Sequence, residues 1–399
     1  MENEHENNHK HQHLPNAPDA AWSILSETQK FLPLPTTTSA AHDHDHDHDP
    51  LSSTRIACMS DTHGKHRNIL IPKCDILIHG GDFTKSGEQK IIQDLADFFV
   101  ETVQRGDAKE VICIAGNHDI SFHRESCEKH WGLFHPKSTP QTFNDALRSK
   151  KYLQERCTYL EDESTTYNDN VSIYGSPWTP TYFNCWAFMK DRDIIHSQWD
   201  LIPNEVDVLV THGPPLGRGD FTRSQVRAGC VNLLEQVQNR IQPRLHVFGH
   251  IHEGSGSTFD GETLFVNASN CTIKYSPENP CVVVDLPHDK NLPARIVVPK
   301  CTLTGQEVLD WLKYHGYDNI YPYFENRKPR LFNGDELVCD DITVDDLAGK
   351  LKVSEIQMWN CCYDTYIYIY ISCTRTRCTG SLRNVFCVLT SFLGLTSID

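Results

Sequence analysis

The sequence predicts a layered α/β domain, with helices packed on sheets, from three observations. Short continuous apolar runs recur from about Arg55 to Asp285, as strands buried on both faces produce. Between them lie segments with apolar residues at helical spacing. The chain has 399 residues and is 39% hydrophobic, enough for one large core or two smaller ones.

The elements follow in order. Residues 1–51 are acidic, poor in residues that could pack, and contain a His-Asp repeat from His42 to Asp49, closed by Pro50. They predict a disordered tail, and the repeat reads as a solvated stretch, with weak metal buffering as its other reading. Residues 52–300 form the main domain. Predicted strands cover Arg55–Met59, Asp75–Ile78, Val111–Ala115, Val171–Tyr174, Val206–Val210, Leu245–Phe248, Thr263–Val266 and Cys281–Asp285. Gly87–Val103 predicts a helix with Ile91, Ile92, Leu95, Phe98 and Phe99 on one face. Val231–Ile241 predicts another, opened by Gly229 and ended by Pro243. Residues 301–352 read as a small helical module, with helices at Gln306–Tyr314 and Val344–Leu351 around an aromatic loop from Tyr321 to Phe332. Residues 353–399 read as an unstructured tail of doubtful origin. Its run Tyr366–Ile371 alternates Tyr and Ile, which as a peptide is a strand pattern and as codons is what a TA dinucleotide repeat encodes.

Charge and cysteine usage narrow the setting. The net charge is −16 and concentrates in the first fifty residues, leaving the middle near neutral without a basic block. Nucleic acid and anionic membranes are not expected partners. The 16 cysteines form no CxxC pair, and the chain opens on polar residues rather than a signal peptide. Reduced thiols in a cytoplasmic protein are expected. The apolar stretch Val385–Leu395 is too short to span a bilayer.

The chemistry sits at the strand ends. After Met59 comes SDTHGKH, with Asp61 and His63. After Ile78 comes HGGDFT, with Asp82. After Ala115 comes GNHD, with Asn117, His118 and Asp119. After Val210 comes THGPP, with His212. After Phe248 comes GHIH, with His250 and His252. In layered α/β folds, ligands gather at the carboxyl edge of the sheet. Five strand ends that each deliver Asp, Asn or His point to two-metal hydrolysis, in which ions ~3.5–4 Å apart share a water and clamp a phosphate. Asp82 is the natural bridge, because a carboxylate offers two oxygens to two cations. Asp61, His63 and His252 can complete one ion; Asn117, His212 and His250 the other. The mixed N and O donors suit Mn, Fe or Zn. His118 is left over and reads as the general acid, with Asp119 orienting its ring. His66, His79 and His246 lie outside the pattern and read as structural.

DTH, GGD, GNHD, THG and GHIH resemble the calcineurin-like metallophosphoesterase motifs, in order. YGSPWTPTYFNCWAF, THGPPLGRGD, RLHVFGHIHEG and NASNCTIKYSPENPCVVVDLP resemble the metallophosphoesterase-domain-containing proteins related to class III cyclic-nucleotide phosphodiesterases. The similarity covers roughly residues 54–300. It implies a four-layer αββα sandwich, a dinuclear metal site on Asp61, His63, Asp82, Asn117, His212, His250 and His252, and His118 as the acid. Some mammalian relatives have glycine at the position of His250; this chain keeps the histidine.

The expected activity is hydrolysis of a small phosphodiester or nucleotide, with a cyclic nucleotide as the family-level substrate and a metal-bridging hydroxide attacking phosphorus in line. One alternative is a phosphomonoesterase on the same fold. Protein phosphatases of that kind carry arginines in DRG and RGNHE, whereas the matching stretches here are GGDFTKSG and AGNHD. Another is a nucleotide-binding or scaffold protein with vestigial catalysis, against which the complete ligand set argues.

Overall fold

The computed structural model describes residues 15–39 and 52–299, with the backbone of four short strands beyond. Two mixed sheets stack face to face. The first has the order β1 (Thr36–Ser39), β15 (Arg295–Pro299), β14 (Val282–Pro287), β2 (Ser53–Met59), β3 (Ile76–His79), β4 (Glu110–Cys113), β5 (Thr158–Tyr159). The second has the order β12 (Gly256–Phe259), β13 (Leu264–Asn267), β11 (Leu245–Phe248), β10 (Val208–Thr211), β7 (Val171–Ser176), β6 (Glu163–Tyr167). Strands β2 to β5 are mutually parallel, as are β7, β10, β11 and β13. A short ribbon, β8 (Thr179–Pro180) with β9 (Met189–Lys190), lies apart from both.

Period-two alternation builds three apolar layers. Ile56, Cys58, Ile76 and Ile78 point between the sheets, against Val208, Val210, Leu245 and Val247. Ala57, Met59, Leu77 and Cys113 point the other way, onto helices α2 (Gln89–Arg105), α3 (Arg124–Phe134) and α4 (Pro140–Gln154). Tyr174, Leu209, Phe248 and Phe265 of the second sheet face α5 (His196–Trp199) and α6 (Val231–Gln236), which continues as a wider π turn to Ile241. Two sheets between two helical layers make the αββα sandwich. Because both faces of each central strand are buried, those strands are apolar throughout, which is why they were visible in the sequence. Truncating one such residue, Leu77→Ala for instance, removes packing worth roughly 2–5 kcal/mol.

Two expectations are corrected. Residues 1–51 are not a featureless tail: helix α1 (Pro18–Leu25) packs Ala21, Trp22 and Leu25 on Leu216, Val231 and Leu234. Strand β1 pairs in parallel with β15. An open sheet edge offers backbone partners whatever the side chains are, so a Thr-rich segment can dock there without an apolar pattern. The His-Asp repeat lies outside the described residues. At the other end, the backbone of Glu355–Cys361 pairs antiparallel with that of Tyr366–Ser372, and the rest of residues 353–399 lies outside the described residues. The Tyr-Ile alternation carries high strand propensity regardless of its origin. Arg330–Phe332 likewise pairs with Glu336–Val338, starting inside the expected loop. The helices expected at Gln306–Tyr314 and Val344–Leu351 lie outside the described residues. Among the described residues, no helix is long and apolar enough to cross a membrane.

Candidate metal centre

The loops after β2, β3, β4, β10 and β11 converge at the carboxyl edges of both sheets. Main-chain bonds clip them together. Asp61 N donates to Gly81 O at 2.9 Å, His63 N to Asp82 O at 3.0 Å, and Gly249 N to His212 O at 3.0 Å. The clips force left-handed backbone on Asp61 (φ 53°), His63 (φ 44°), Asp82 (φ 54°) and His250 (φ 69°). Non-glycine residues adopt that region at a cost, and strain of this kind gathers at functional sites. Gly249 is needed for a different reason: a Cβ built there would overlap Asp61 Oδ2 and Ser60 Oγ.

Three sets of side chains bring one donor atom each to within 4.8 Å of one another: Asp61, His63 and His252; His63, Asp82 and His118; and Asp82, His212 and His250. Asp82 belongs to two sets, on the side of His212 and on the side of His63. Asn117 joins the third set through Oδ1, 2.9 Å from His212 Nε2.

The imidazoles are aimed by carbonyls. His63 Nδ1 donates to Thr84 O at 2.8 Å, His212 Nδ1 to Gly80 O at 2.9 Å, and His252 Nδ1 to Thr272 O at 3.0 Å. A carbonyl only accepts, so Nδ1 carries a proton and Nε2 faces inward, open to a second proton or to a metal ion. There it meets other lone pairs. His212 Nε2 lies 3.3 Å from Asp82 Oδ2, His252 Nε2 lies 3.3 Å from Asp61 Oδ1, and His63 and His252 face each other through Nε2 at 3.2 Å. Lone pairs at such distances need a proton or a metal ion between them.

The carboxylates favour a proton in that role. Burial opposes charge on His212, yet Asp82 beside it pushes the ring up to about 9. Burial likewise opposes charge on His252, and its hydrogen bond to Asp61 pushes it up to about 9. Burial would raise both carboxylates, but the imidazoles hold Asp61 and Asp82 well below the ordinary range. The donor set, two carboxylates with imidazoles and one amide, fits divalent ions of the Mn, Fe or Zn kind.

All seven residues expected as ligands therefore meet in one place, with His118 beside them. Asp61 is further fixed by His250 N, which donates to both its oxygens at 3.0 Å, and by Ser269 Oγ at 2.9 Å. Asp119 corrects an expectation, because it does not orient His118. It accepts from Thr84 N at 2.9 Å, Thr84 Oγ1 at 2.7 Å and Gly116 N at 2.8 Å. Burial and the negative charge of Asp82 push it up to about 8. The His118 ring instead donates from Nδ1 to Lys85 O at 2.8 Å and packs on Trp186, with centroids 4.0 Å apart. Adjacency on the chain had suggested Asp119, but the 3₁₀ turn that follows points its carboxylate back into the loop.

His66, His79 and His246 are buried and lie outside the three sets. His66 bonds Asp94 at 2.9 Å, His79 bonds Thr62 at 3.0 Å, and His246 bonds Thr211 at 2.8 Å. Sequence reasoning missed Tyr182, Trp186 and Tyr275. All three touch site rings, but their partners lie far away in the chain, so no local spacing marked them.

The sequence profile of the Calcineurin-like phosphoesterase family matches residues 54–254. Metallophosphoesterase domain-containing protein 1 of Homo sapiens is 42% identical over 246 residues, which is 61% of this chain and 74% of that protein. The Mus musculus protein of the same name matches equally. UPF0046 protein C25E10.12 of Caenorhabditis elegans is 36% identical over 245 residues, covering 59% of this chain and 82% of that one. With this sandwich and these buried Asp and His groups, the chain belongs to the calcineurin-like phosphoesterase family.

Proposed function

We propose that the protein is a phosphodiesterase acting on a small diester, with a cyclic nucleotide as the substrate that its resemblance to the class III enzymes suggests. The observation that carries this reading is the sharing of Asp82 between the two sides of a complete donor set. Two divalent ions bound there supply Lewis acidity toward the phosphoryl oxygens and lower the pKa of an attacking water. The chain's own residues do the rest. Asp61, His63 and His252 hold one side, and Asp82, Asn117, His212 and His250 hold the other. His118 keeps Nε2 4.0 Å from Asp82 Oδ2; in its doubly protonated form, with Nδ1–H held by Lys85 O, it gives the Nε2 proton to the leaving oxygen.

Charge favours a diester over a monoester. Arg218, the arginine nearest the THG motif in the chain, is buried between Phe31 and Phe265, with its guanidinium 4.4 and 4.7 Å from their ring centroids. A monoanionic diester needs less counter-charge than a dianionic monoester. The free thiols described, Cys58, Cys113 and Cys271 among them, accord with a reducing, cytoplasmic setting.

The test is kcat/KM for bis-p-nitrophenyl phosphate against p-nitrophenyl phosphate under one metal, Mn first. The diester is expected to win. Reversed preference would assign the site to monoesters. Full metal occupancy without turnover of either substrate would make the chain a binding protein.

A further inference from the structure

Tyr275 stands on a backbone that its side chain disfavours. Its φ is 58°, a left-handed conformation that bulky residues avoid. A tight turn imposes it: Tyr275 N donates to Thr272 O and Thr272 N to Ser276 O, both at 2.8 Å, and Cys271 bridges to Pro277. The same Thr272 carbonyl accepts from His252 Nδ1. The strained turn and a metal-centre imidazole therefore share one anchor.

The strain holds an aromatic ring in water at the edge of the site. Tyr275 is 37% exposed, with its centroid 4.6 Å from that of His63 and 5.9 Å from that of His252. Lys85 Nζ lies over the Tyr275 ring, 5.4 Å from its centroid, and so covers one part of it with positive charge. Across the site, Tyr182 is 46% exposed, its centroid is 5.3 Å from that of His250, and its hydroxyl accepts from Asn117 Nδ2 at 3.1 Å. Each half of the centre thus has a part-exposed tyrosine on its rim. The Tyr182 phenol is tied to a site residue, while the Tyr275 ring is held up by its own backbone.

The geometry points to Tyr275 as an aromatic platform that binds the planar ring of an aryl or heteroaryl phosphate ester. This rests on the phosphoester reading of the site and narrows its substrate class. Rings stack through their faces, which saturated groups of equal bulk do not do. Stacking of a base on an aromatic side chain supports about a tenfold difference in affinity.

The test is calorimetric binding of monomethyl phenylphosphonate and monomethyl cyclohexylphosphonate, monoanions like a diester, to the full-length, Mn-loaded protein. Wild type should prefer the phenyl ligand, and Tyr275→Asn should reduce that preference about tenfold. Differences between the ligands themselves cancel in this comparison. Tyr275→Phe should keep the preference. Because Asn tolerates left-handed backbone, the Tm of Tyr275→Asn should equal or exceed that of wild type. A phenyl preference unchanged in Tyr275→Asn overturns the platform. So does its loss in Tyr275→Phe, which would assign the role to the hydroxyl. So does failure of both phosphonates to bind, or a lower Tm in Tyr275→Asn with equal loss of both ligands, which would make the ring structural. Diester turnover is scored separately. Turnover absent while the ring preference stands would sink the diesterase reading alone, and turnover present without ring preference would sink the platform alone.

Discussion

His118 Nδ1 donates to the main-chain carbonyl of Lys85 at 2.8 Å, while Asp119, its neighbour in the chain, turns away to Thr84 and Gly116. The loop after β3 thus aims a ring that the loop after β4 carries. Nε2 is left facing the donor groups, 4.0 Å from Asp82 Oδ2.

His118 and Asp82 should separate by metal content. Asp82→Ala removes a carboxylate common to two sets of donors, so metal and activity fall together for every substrate. His118→Asn keeps the metal and slows substrates that expel a basic alkoxide by roughly 10²–10⁴-fold, with a much smaller loss for a nitrophenyl diester. Elemental analysis with kcat for both substrates checks this. Loss of metal in His118→Asn would make His118 a ligand, and equal slowing of both substrates would make it a phosphate-binding group.

Asp119 should act on stability rather than on proton transfer. Asp119→Ala strands the N–H groups of Thr84 and Gly116, buried donors worth roughly 1–3 kcal/mol each when unpaired. A lower urea midpoint is expected. Unchanged stability, with leaving-group-dependent slowing like that of His118→Asn, would restore Asp119 as the orienting carboxylate.

Gly249→Ala should empty one side of the centre. Its Cβ would overlap Asp61 Oδ2, displacing the carboxylate that His250 N and Ser269 Oγ hold. The expected metal content falls toward one ion per chain, with the Asp82, His212 and His250 side retained. Two ions bound at wild-type affinity would show that Asp61 is not required there.

The N-terminal segment should stabilise the domain from outside. Trp22 packs so closely on Gly217 (φ 78°) that any Cβ there would overlap its ring. Lys30 O and Gln29 Oε1 each accept from the Arg218 guanidinium at 3.1 Å. Deleting residues 1–39 exposes that buried arginine and the apolar contacts of α1. A drop in Tm of several degrees is expected, and Trp22→Ala alone should cost roughly 1–3 kcal/mol. A deletion variant as stable as the full chain would return the segment to the status of a passive tail.

The strands and the metal-centre residues could be read from sequence because both are local properties. A strand buried on two faces is apolar at successive positions, as Ile56–Met59 and Leu245–Phe248 are, and a donor just past its end lies at the sheet edge. That reasoning reached Asp61, His63, Asp82, Asn117, His212, His250 and His252 from chain order alone. The short strand β1 escaped it because edge pairing needs only backbone groups. Asp119 was misread because adjacency stood in for geometry. Tyr275 carried no mark because its meaning lies in a positive φ and in His63, more than two hundred residues away. Residue type at a strand end determined which donors this protein has. Only tertiary structure decided which carbonyl aims each imidazole and which ring stands exposed beside them, because those partners meet through folding rather than through sequence.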